Sequence, residues 1–180
     1  MKRYLAACIG LLLSFSVNSA DWTPAFDYLK NESSMDGKTL RMIRENVYIT
    51  DLIREDGKFK KDILTINAKT GNFNIPQPLK SDILPAKMTV SNSKQVMTKI
   101  PLKNASLYGY KLQSLNYGFG CSECGDEIFY AEFAPMSDKQ FLELKKKVKF
   151  AYIESVCGDS PSAIITKDKN KVILNLIIGC

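Results

Sequence analysis

The sequence contains no histidine, and this absence excludes several common kinds of active site. A Ser-His-Asp triad, a Cys-His pair and an imidazole metal ligand all require that residue. The glycines form no phosphate-binding loop, because no helical pattern follows Gly118-Phe119-Gly120. What remains is an ordinary globular composition, 45% hydrophobic and 24% charged, over a length of 180 residues that suits one domain. We therefore predict no catalytic residue, no cofactor and no metal site.

No apolar run has the roughly 20 residues that a membrane-spanning helix needs. The longest run follows two basic residues near the start of the chain and extends from Leu5 to Val17. It ends in the small residues Asn18-Ser19-Ala20, and this order is typical of a secretory signal peptide. We predict a signal peptide over residues 1–20, cleaved after Ala20 or, as a second choice, after Ser19. Residues 21–180 then form a single exported domain, expected in the bacterial periplasm without stable membrane insertion.

The charge is mildly basic, with 25 Lys+Arg against 19 Asp+Glu. Two of the basic residues lie in the predicted signal peptide, so the mature chain has a net charge of about +4. Proteins that bind nucleic acid usually carry a denser positive charge, and an exported protein meets little nucleic acid. We therefore expect no nucleic-acid partner and favour an anionic surface or an acidic protein.

Four cysteines remain after removal of the signal peptide, namely Cys121, Cys124, Cys157 and Cys180. An even number of cysteines in an exported chain indicates two disulfides. Of the three possible pairings we favour Cys121–Cys124 and Cys157–Cys180, because each pair is joined by a segment that looks like a local turn or hairpin. The disulfide between Cys157 and Cys180 closes the longer loop, and the lost entropy of the unfolded chain would stabilise the fold by about 3 kcal/mol.

The segment Cys121-Ser122-Glu123-Cys124 has two alternative interpretations. A redox-active CxxC needs a helix N-terminus or a nearby cation, whereas here a strand-like pattern follows and acidic neighbours would raise the thiol pKa. A zinc ribbon needs a second CxxC, and the other two cysteines are single and widely separated. We prefer a disulfide-closed turn, and a periplasmic thiol-disulfide or metal-binding factor is the alternative function.

The order of the segments predicts an α+β domain, in which a disulfide-stabilised antiparallel sheet packs against one main helix of about 137–150. Ser137 begins this helix, Gln140 is placed for a capping box, and Phe141, Leu144 and Val148 share one face. A shorter helix is expected from Thr23 to Leu29, and a proline-containing loop over 75–85. Strands are predicted at 40–53, 62–68, 88–90, 95–100, 106–117, 127–134, 152–156, 162–166 and 171–178. For the first of these a helix is the alternative, because Leu40, Ile43 and Val47 also fit one helical face.

Aromatic residues are concentrated around the cysteine-bounded loop, at Tyr108, Tyr110, Tyr117, Phe119, Phe129, Tyr130 and Phe133. Strand alternation sends some of these side chains to the core. An aromatic side chain left at the rim of a rigid acidic loop would anchor a protein interface, and a disulfide there would reduce the entropy lost on binding. The residues predicted to bind a protein partner, within the patch 117–127, are Tyr117, Phe119, Glu123, Asp126 and Glu127.

These properties favour a small, non-enzymatic exported protein that holds or occludes a protein partner. Its size, its export signal and its lack of catalytic groups are similar in outline to those of the immunity proteins that bacteria export against toxins aimed at their own envelope. We therefore expect the partner to be such a toxin or an envelope enzyme.

Overall fold

A computed structural model describes residues 19–30, 37–47, 63–90, 96–119, 127–148, 152–153, 160–161 and 163–176. The helices in this part of the chain are α1 Thr23–Phe26, α2 Lys38–Glu45, α3 Ile66–Thr70 and α4 Asp138–Lys147, with 3₁₀ turns at Asp27–Lys30 and Leu79–Asp82. The strands are β1 Ala20–Asp21, β2 Lys87–Val90, β3 Val96–Leu107, β4 Tyr110–Phe119, β5 Glu127–Phe133, β6 Tyr152–Ile153, β7 Ser160–Pro161, β8 Ala163–Asp168 and β9 Lys171–Leu176.

The main sheet has seven strands in the order β1-β3-β4-β5-β9-β8, and β2 pairs with β3 as well. The predicted α+β class is confirmed, but the sheet is mixed rather than antiparallel, because β1 pairs with β3 in the parallel direction. A parallel pair needs a long connection, and here it is the whole chain between Asp21 and Val96. No local sequence pattern reports such a pairing. The strands β6 and β7 form a separate two-stranded sheet.

A two-residue turn at Tyr108 and Gly109 joins β3 to β4. Their φ angles of 54° and 82° are both positive, as a type I′ hairpin turn requires. The predicted strand 106–117 is therefore wrong at residues 108 and 109, where the chain turns. The predicted strand 95–100 is too short, because β3 extends to Leu107. Strand β3 continues past Pro101 through a register shift, because the stretch from Pro101 to Ala105 contains two more residues than the facing stretch of β4 from Leu112 to Ser114.

Two segments predicted as strands, 40–53 and 62–68, are helical in part, and residues 48–53 and 62 lie outside the described residues. Residues 40–45 belong to α2, whose Leu40 and Ile43 are buried on one face, so the helical spacing of the apolar residues outweighs their β propensity. Residues 66–68 belong to α3, because the Thr65 hydroxyl accepts a hydrogen bond from the Ala68 N–H as an N-cap. Gly71 ends α3 with φ 73°, a backbone conformation that suits glycine.

The main helix is confirmed close to its predicted place. Ser137 and Gln140 form the capping box, and α4 ends at Lys147. Leu144 and Val148 lie in the hydrophobic core, and Phe141 packs against it. The short helix near Thr23 is also present, as α1 and the 3₁₀ turn that follows it. The four cysteines lie outside the described residues, so both disulfides stay predictions.

Candidate protein-binding site

The predicted patch 117–127 is described only at its two ends. Tyr117 has a described side chain, whereas Phe119 and Glu127 are described by their backbone alone, as Cα partners where β4 meets β5. Glu123 and Asp126 lie outside the described residues. The patch as a binding site therefore stays a prediction, with one end on β4 and the other on β5.

Tyr117 is a core residue, and its side chain is 3% exposed. Its ring stacks on that of Phe129, with centroids 4.2 Å apart and an interplanar angle of 14°. Its hydroxyl donates a hydrogen bond to the backbone carbonyl of Leu40 at 3.1 Å. Tyr117 thus connects the centre of the sheet to α2, as the alternation rule expects of some aromatic residues in this region. Substituting it would change the core, so it is unsuited to test an interface.

The main sheet has two unlike faces. Each of the four helices contributes a buried side chain to one hydrophobic cluster, together with alternate strand residues such as Leu115, Phe129 and Leu174. The intervening strand residues lie on the other side, which we call the open face. Its members include Lys87, Met97, Lys99, Ser114, Asn116, Ile128, Tyr130, Glu132, Ile164, Thr166, Lys171, Ile173 and Asn175. The apolar members of this set do not belong to the core cluster.

The centre of the open face is an ordered polar group across β3, β4 and β5. The Glu132 carboxylate accepts hydrogen bonds from Lys99 Nζ at 3.0 Å and from Ser114 Oγ at 3.2 Å. Asn116 Nδ2 in turn donates to Ser114 Oγ at 3.0 Å. Ser114 and Asn116 are both buried. These contacts hold the side chains in one arrangement before any partner arrives.

Beside this polar group, the open face is apolar and aromatic. Ile128, Tyr130 and Ile173 are partly exposed, and Ile164 on β8 is 44% exposed. The ammonium group of Lys171 lies 5.2 Å from the centre of the Tyr130 ring, within the range of a cation–π contact. Protein interfaces commonly combine apolar and aromatic side chains with polar ones, although here the polar group is central and the apolar residues lie beside it.

Sequence reasoning did not single out the open face, although a signal for it exists. In β5 the residues Ile128, Tyr130 and Glu132 alternate with the buried Phe129, Ala131 and Phe133, so two faces of different character are visible in the pattern. The aromatic concentration drew attention to the cysteine loop, whereas Tyr130 lies on the open face.

A second charged surface lies on α4. Lys139, Lys145 and Lys146 are exposed around Leu142, which is also exposed. Lys147 differs from them, because its ammonium group donates to the Tyr108 carbonyl at 3.3 Å and lies 5.0 Å from the centre of the Tyr110 ring. The exposed lysines have the character of the solvated face of an amphipathic helix.

Among the residues that the structure describes, no group of three or more His, Cys, Asp or Glu side chains is placed to hold a metal ion. No helix in the described ranges is both long enough and apolar enough to cross a membrane.

Comparison with models of protein families, with curated proteins and with solved structures found no match for the chain. Its function is therefore argued from its own surfaces.

Proposed function

We propose that this chain is a small exported protein that binds a protein partner and has no catalytic role of its own, in the manner of an inhibitor or an immunity protein. The observation that supports this proposal is the open face of the sheet. It presents Ile128, Tyr130, Ile164 and Ile173 beside an ordered polar centre, and these four residues lie outside the hydrophobic cluster to which the four helices contribute. Exposed apolar patches with polar surroundings are typical of interaction sites.

The construction of the open face also suits binding. Its side chains stand on paired strands, and the contacts among Lys99, Ser114, Asn116 and Glu132 restrict their motion. A surface that is already ordered loses less conformational entropy when a partner docks. Tyr130 is the best candidate for an anchor, because tyrosine is enriched among the residues that contribute most to binding.

The charge of the open face indicates the kind of partner. Lys87, Lys99 and Lys171 stand on it with the acidic Glu132 and Asp168, so its net charge is slightly positive. Cationic and anionic surfaces attract each other during encounter, so an acidic toxin or envelope enzyme is the expected partner.

Two residues of the predicted patch 117–127 continue the strands of the open face. Phe119 and Glu127 are the pair that follows Gly118 and Ile128 along β4 and β5. The patch stays a separate prediction, and the open face is the proposed site.

The first experiment is a native mass spectrum of the mature protein, purified gently from the compartment to which it is exported. We expect an added protein mass, and we expect Tyr130→Ala to weaken that complex at least tenfold. Leu142→Ala is the matched control, since it removes an exposed apolar side chain from α4 rather than from the open face. A complex that is equally strong in wild type and Tyr130→Ala, or weakened only by Leu142→Ala, would contradict the use of the open face.

A further inference from the structure

The outer side of α4 is basic. Lys139, Lys145 and Lys146 are exposed, and among the described residues no carboxylate forms an ion pair with any of the three. Lys139 and Lys146 are seven residues apart, so two helical turns place them on the same side of α4, with Leu142 between them. The buried Leu144 lies on the opposite side, toward the core. The lysines therefore stand on the part of the helix that is farthest from the sheet.

The end of the sheet beside α4 adds further cations. Lys167, near the end of β8, forms an ion pair with Asp138 in the first turn of α4, and the exposed Lys169 follows in the turn after β8. At the other end of α4, Lys147 donates a hydrogen bond to the Tyr108 carbonyl in the turn between β3 and β4. The helix thus lies across the end of the sheet, between two hairpin turns. The exposed lysines of this region, which we call the basic surface, are Lys139, Lys145, Lys146, Lys147 and Lys169.

The same segments carry only three carboxylates, those of Asp138, Glu143 and Asp168. Asp138 is paired with Lys167, and Glu143 accepts a hydrogen bond from the Tyr110 hydroxyl at 3.4 Å. Together with Lys167, the lysines of the basic surface leave an excess of three positive charges here. The mature chain as a whole has an expected net charge of about +4. Most of the excess positive charge of the protein is therefore concentrated on this one surface.

We propose that the basic surface docks on the anionic headgroups of a phospholipid bilayer. Clusters of about four to eight cationic side chains on a helix are typical of contacts with anionic lipids. Leu142 is 57% exposed among the lysines, so it can enter the headgroup region while the lysine ammonium groups stay at the phosphates. The docking is peripheral, because the apolar side of α4 is already used by the core, through Leu144 and Val148.

The composition of the basic surface favours a lipid over an acidic protein. It contains lysine and no arginine, whereas protein interfaces are depleted in lysine and enriched in arginine and aromatic residues. A lysine is a point charge on a flexible stem, which suits a fluid layer of phosphates without fixed positions, while the planar fork of arginine suits a partner of fixed geometry. The open face differs in this respect, since it has Tyr130 and an ordered polar centre.

The basic surface and the open face can be occupied at the same time. Helix α4 contributes Leu144 to the hydrophobic cluster, which lies on the other side of the sheet from the open face. A bilayer at α4 and a protein partner at Tyr130 therefore do not compete. The inference goes beyond the proposed binding function, and either of the two can fail without the other.

The first test is cosedimentation of the mature protein with vesicles, after purification from the compartment to which it is exported. We expect binding to vesicles of equal parts phosphatidylglycerol and phosphatidylcholine, and none to vesicles of phosphatidylcholine alone. Raising the salt concentration from about 0.05 M to about 0.5 M should release the protein, because salt screens exposed charges. Equal binding to both kinds of vesicle, or no binding to the anionic ones at low salt, would overturn the inference.

Two double variants separate the basic surface from the net charge of the chain. Lys139→Gln with Lys146→Gln should lower the partition coefficient on anionic vesicles by about tenfold or more, because each lysine near the surface contributes to the attraction. Lys87→Gln with Lys103→Gln removes the same charge from exposed positions on β2 and β3 and should change it by no more than about twofold. Equal losses in the two double variants would overturn the choice of surface, and circular dichroism establishes that each is folded.

A tryptophan at the centre of the basic surface reports directly on contact with the bilayer. The emission of Leu142→Trp should shift to shorter wavelength with anionic vesicles, whereas wild type should show no shift because Trp22 is fully buried. Unchanged emission from Leu142→Trp that cosediments with the vesicles would place the contact elsewhere and overturn the inference.

The captured protein partner supplies the last comparison. Lys139→Gln with Lys146→Gln should leave that complex as strong as in wild type, since the open face is intact. A complex that this double variant weakens, together with no preference of wild type for anionic vesicles, would assign the basic surface to an acidic protein instead. That result would overturn the lipid and leave the binding function in place.

Discussion

The contact of Tyr117 with Leu40 gives a quantitative test of how the sheet is joined to α2. Tyr117→Phe removes only the hydroxyl that donates to the Leu40 carbonyl at 3.1 Å. The net contribution of one such hydrogen bond is about 1 kcal/mol, and the buried carbonyl loses a partner. We therefore expect the free energy of unfolding to fall by about 1 kcal/mol in this variant.

Removing the whole side chain should cost much more. Tyr117 is 3% exposed and stacks on Phe129 with ring centroids 4.2 Å apart. Truncating a buried aromatic residue to alanine typically destabilises a protein by about 3–5 kcal/mol. A tyrosine at the rim of an interface would behave differently, since most exposed substitutions change stability by no more than about 0.5 kcal/mol.

Urea-induced unfolding, followed by circular dichroism, gives the free energy of unfolding of both variants, and Tyr117→Leu is a milder substitution to use if the alanine variant does not fold. The slope of the free energy of unfolding against urea concentration must be the same in all variants for the comparison to hold. Tyr130→Ala on the open face is the internal control, and its loss should be clearly the smaller one because Tyr130 is outside the core cluster. A loss below about 1 kcal/mol for Tyr117→Ala would refute the buried placement.

Three other changes test separate parts of the fold. Ser137→Ala removes the capping box of α4 and should lower the free energy of unfolding by about 1 kcal/mol, measured by urea. Gly71→Ala should lower the thermal midpoint, because φ is 73° and an added Cβ would lie 3.0 Å from the Leu84 carbonyl carbon. Burial raises the pKa of Tyr108 to about 12, and the negative charge of Asp27 is the second, smaller cause of this shift. The folded chain therefore keeps a proton that the unfolded chain loses, so stability should fall between pH 10 and about 12, and Tyr108→Phe should flatten that part of the profile.

Elements with local signals were predictable from the sequence. The cap at Ser137, the Gln140 partner and the apolar spacing of Leu144 and Val148 all lie within a dozen residues, so α4 could be placed almost to its ends. The same is true of the hairpin between β8 and β9, whose turn lies at Lys169 and Asn170. In both cases, the residues that decide the structure are close neighbours in the chain.

Elements decided by packing were not predictable in this way. The spacing of Leu40 and Ile43 fits a helical face, whereas the β-branched residues that follow favour a strand, and burial of Leu40 and Ile43 in the core favours the helix. The parallel pairing of Ala20 with Ala105 depends on residues 85 positions apart, about which a local pattern carries no information. The open face was missed for a related reason, because an alternating strand does not show which of its faces the helices will cover.

The expected cleavage site of the signal peptide lies within β1. Cleavage after Ala20 would remove one of the two residue pairs that β1 makes with β3. The remaining contacts begin at Asp21, whose carboxylate accepts a hydrogen bond from the Thr23 N–H at 3.0 Å. Trp22 is fully buried, its N–H donates to the Ser106 carbonyl at 2.8 Å, and its indole N–H donates to Asp82 at 3.3 Å. Because these contacts do not involve Ala20, either expected cleavage position leaves them in place, and Trp22 is the first large side chain of the core in the described part of the chain.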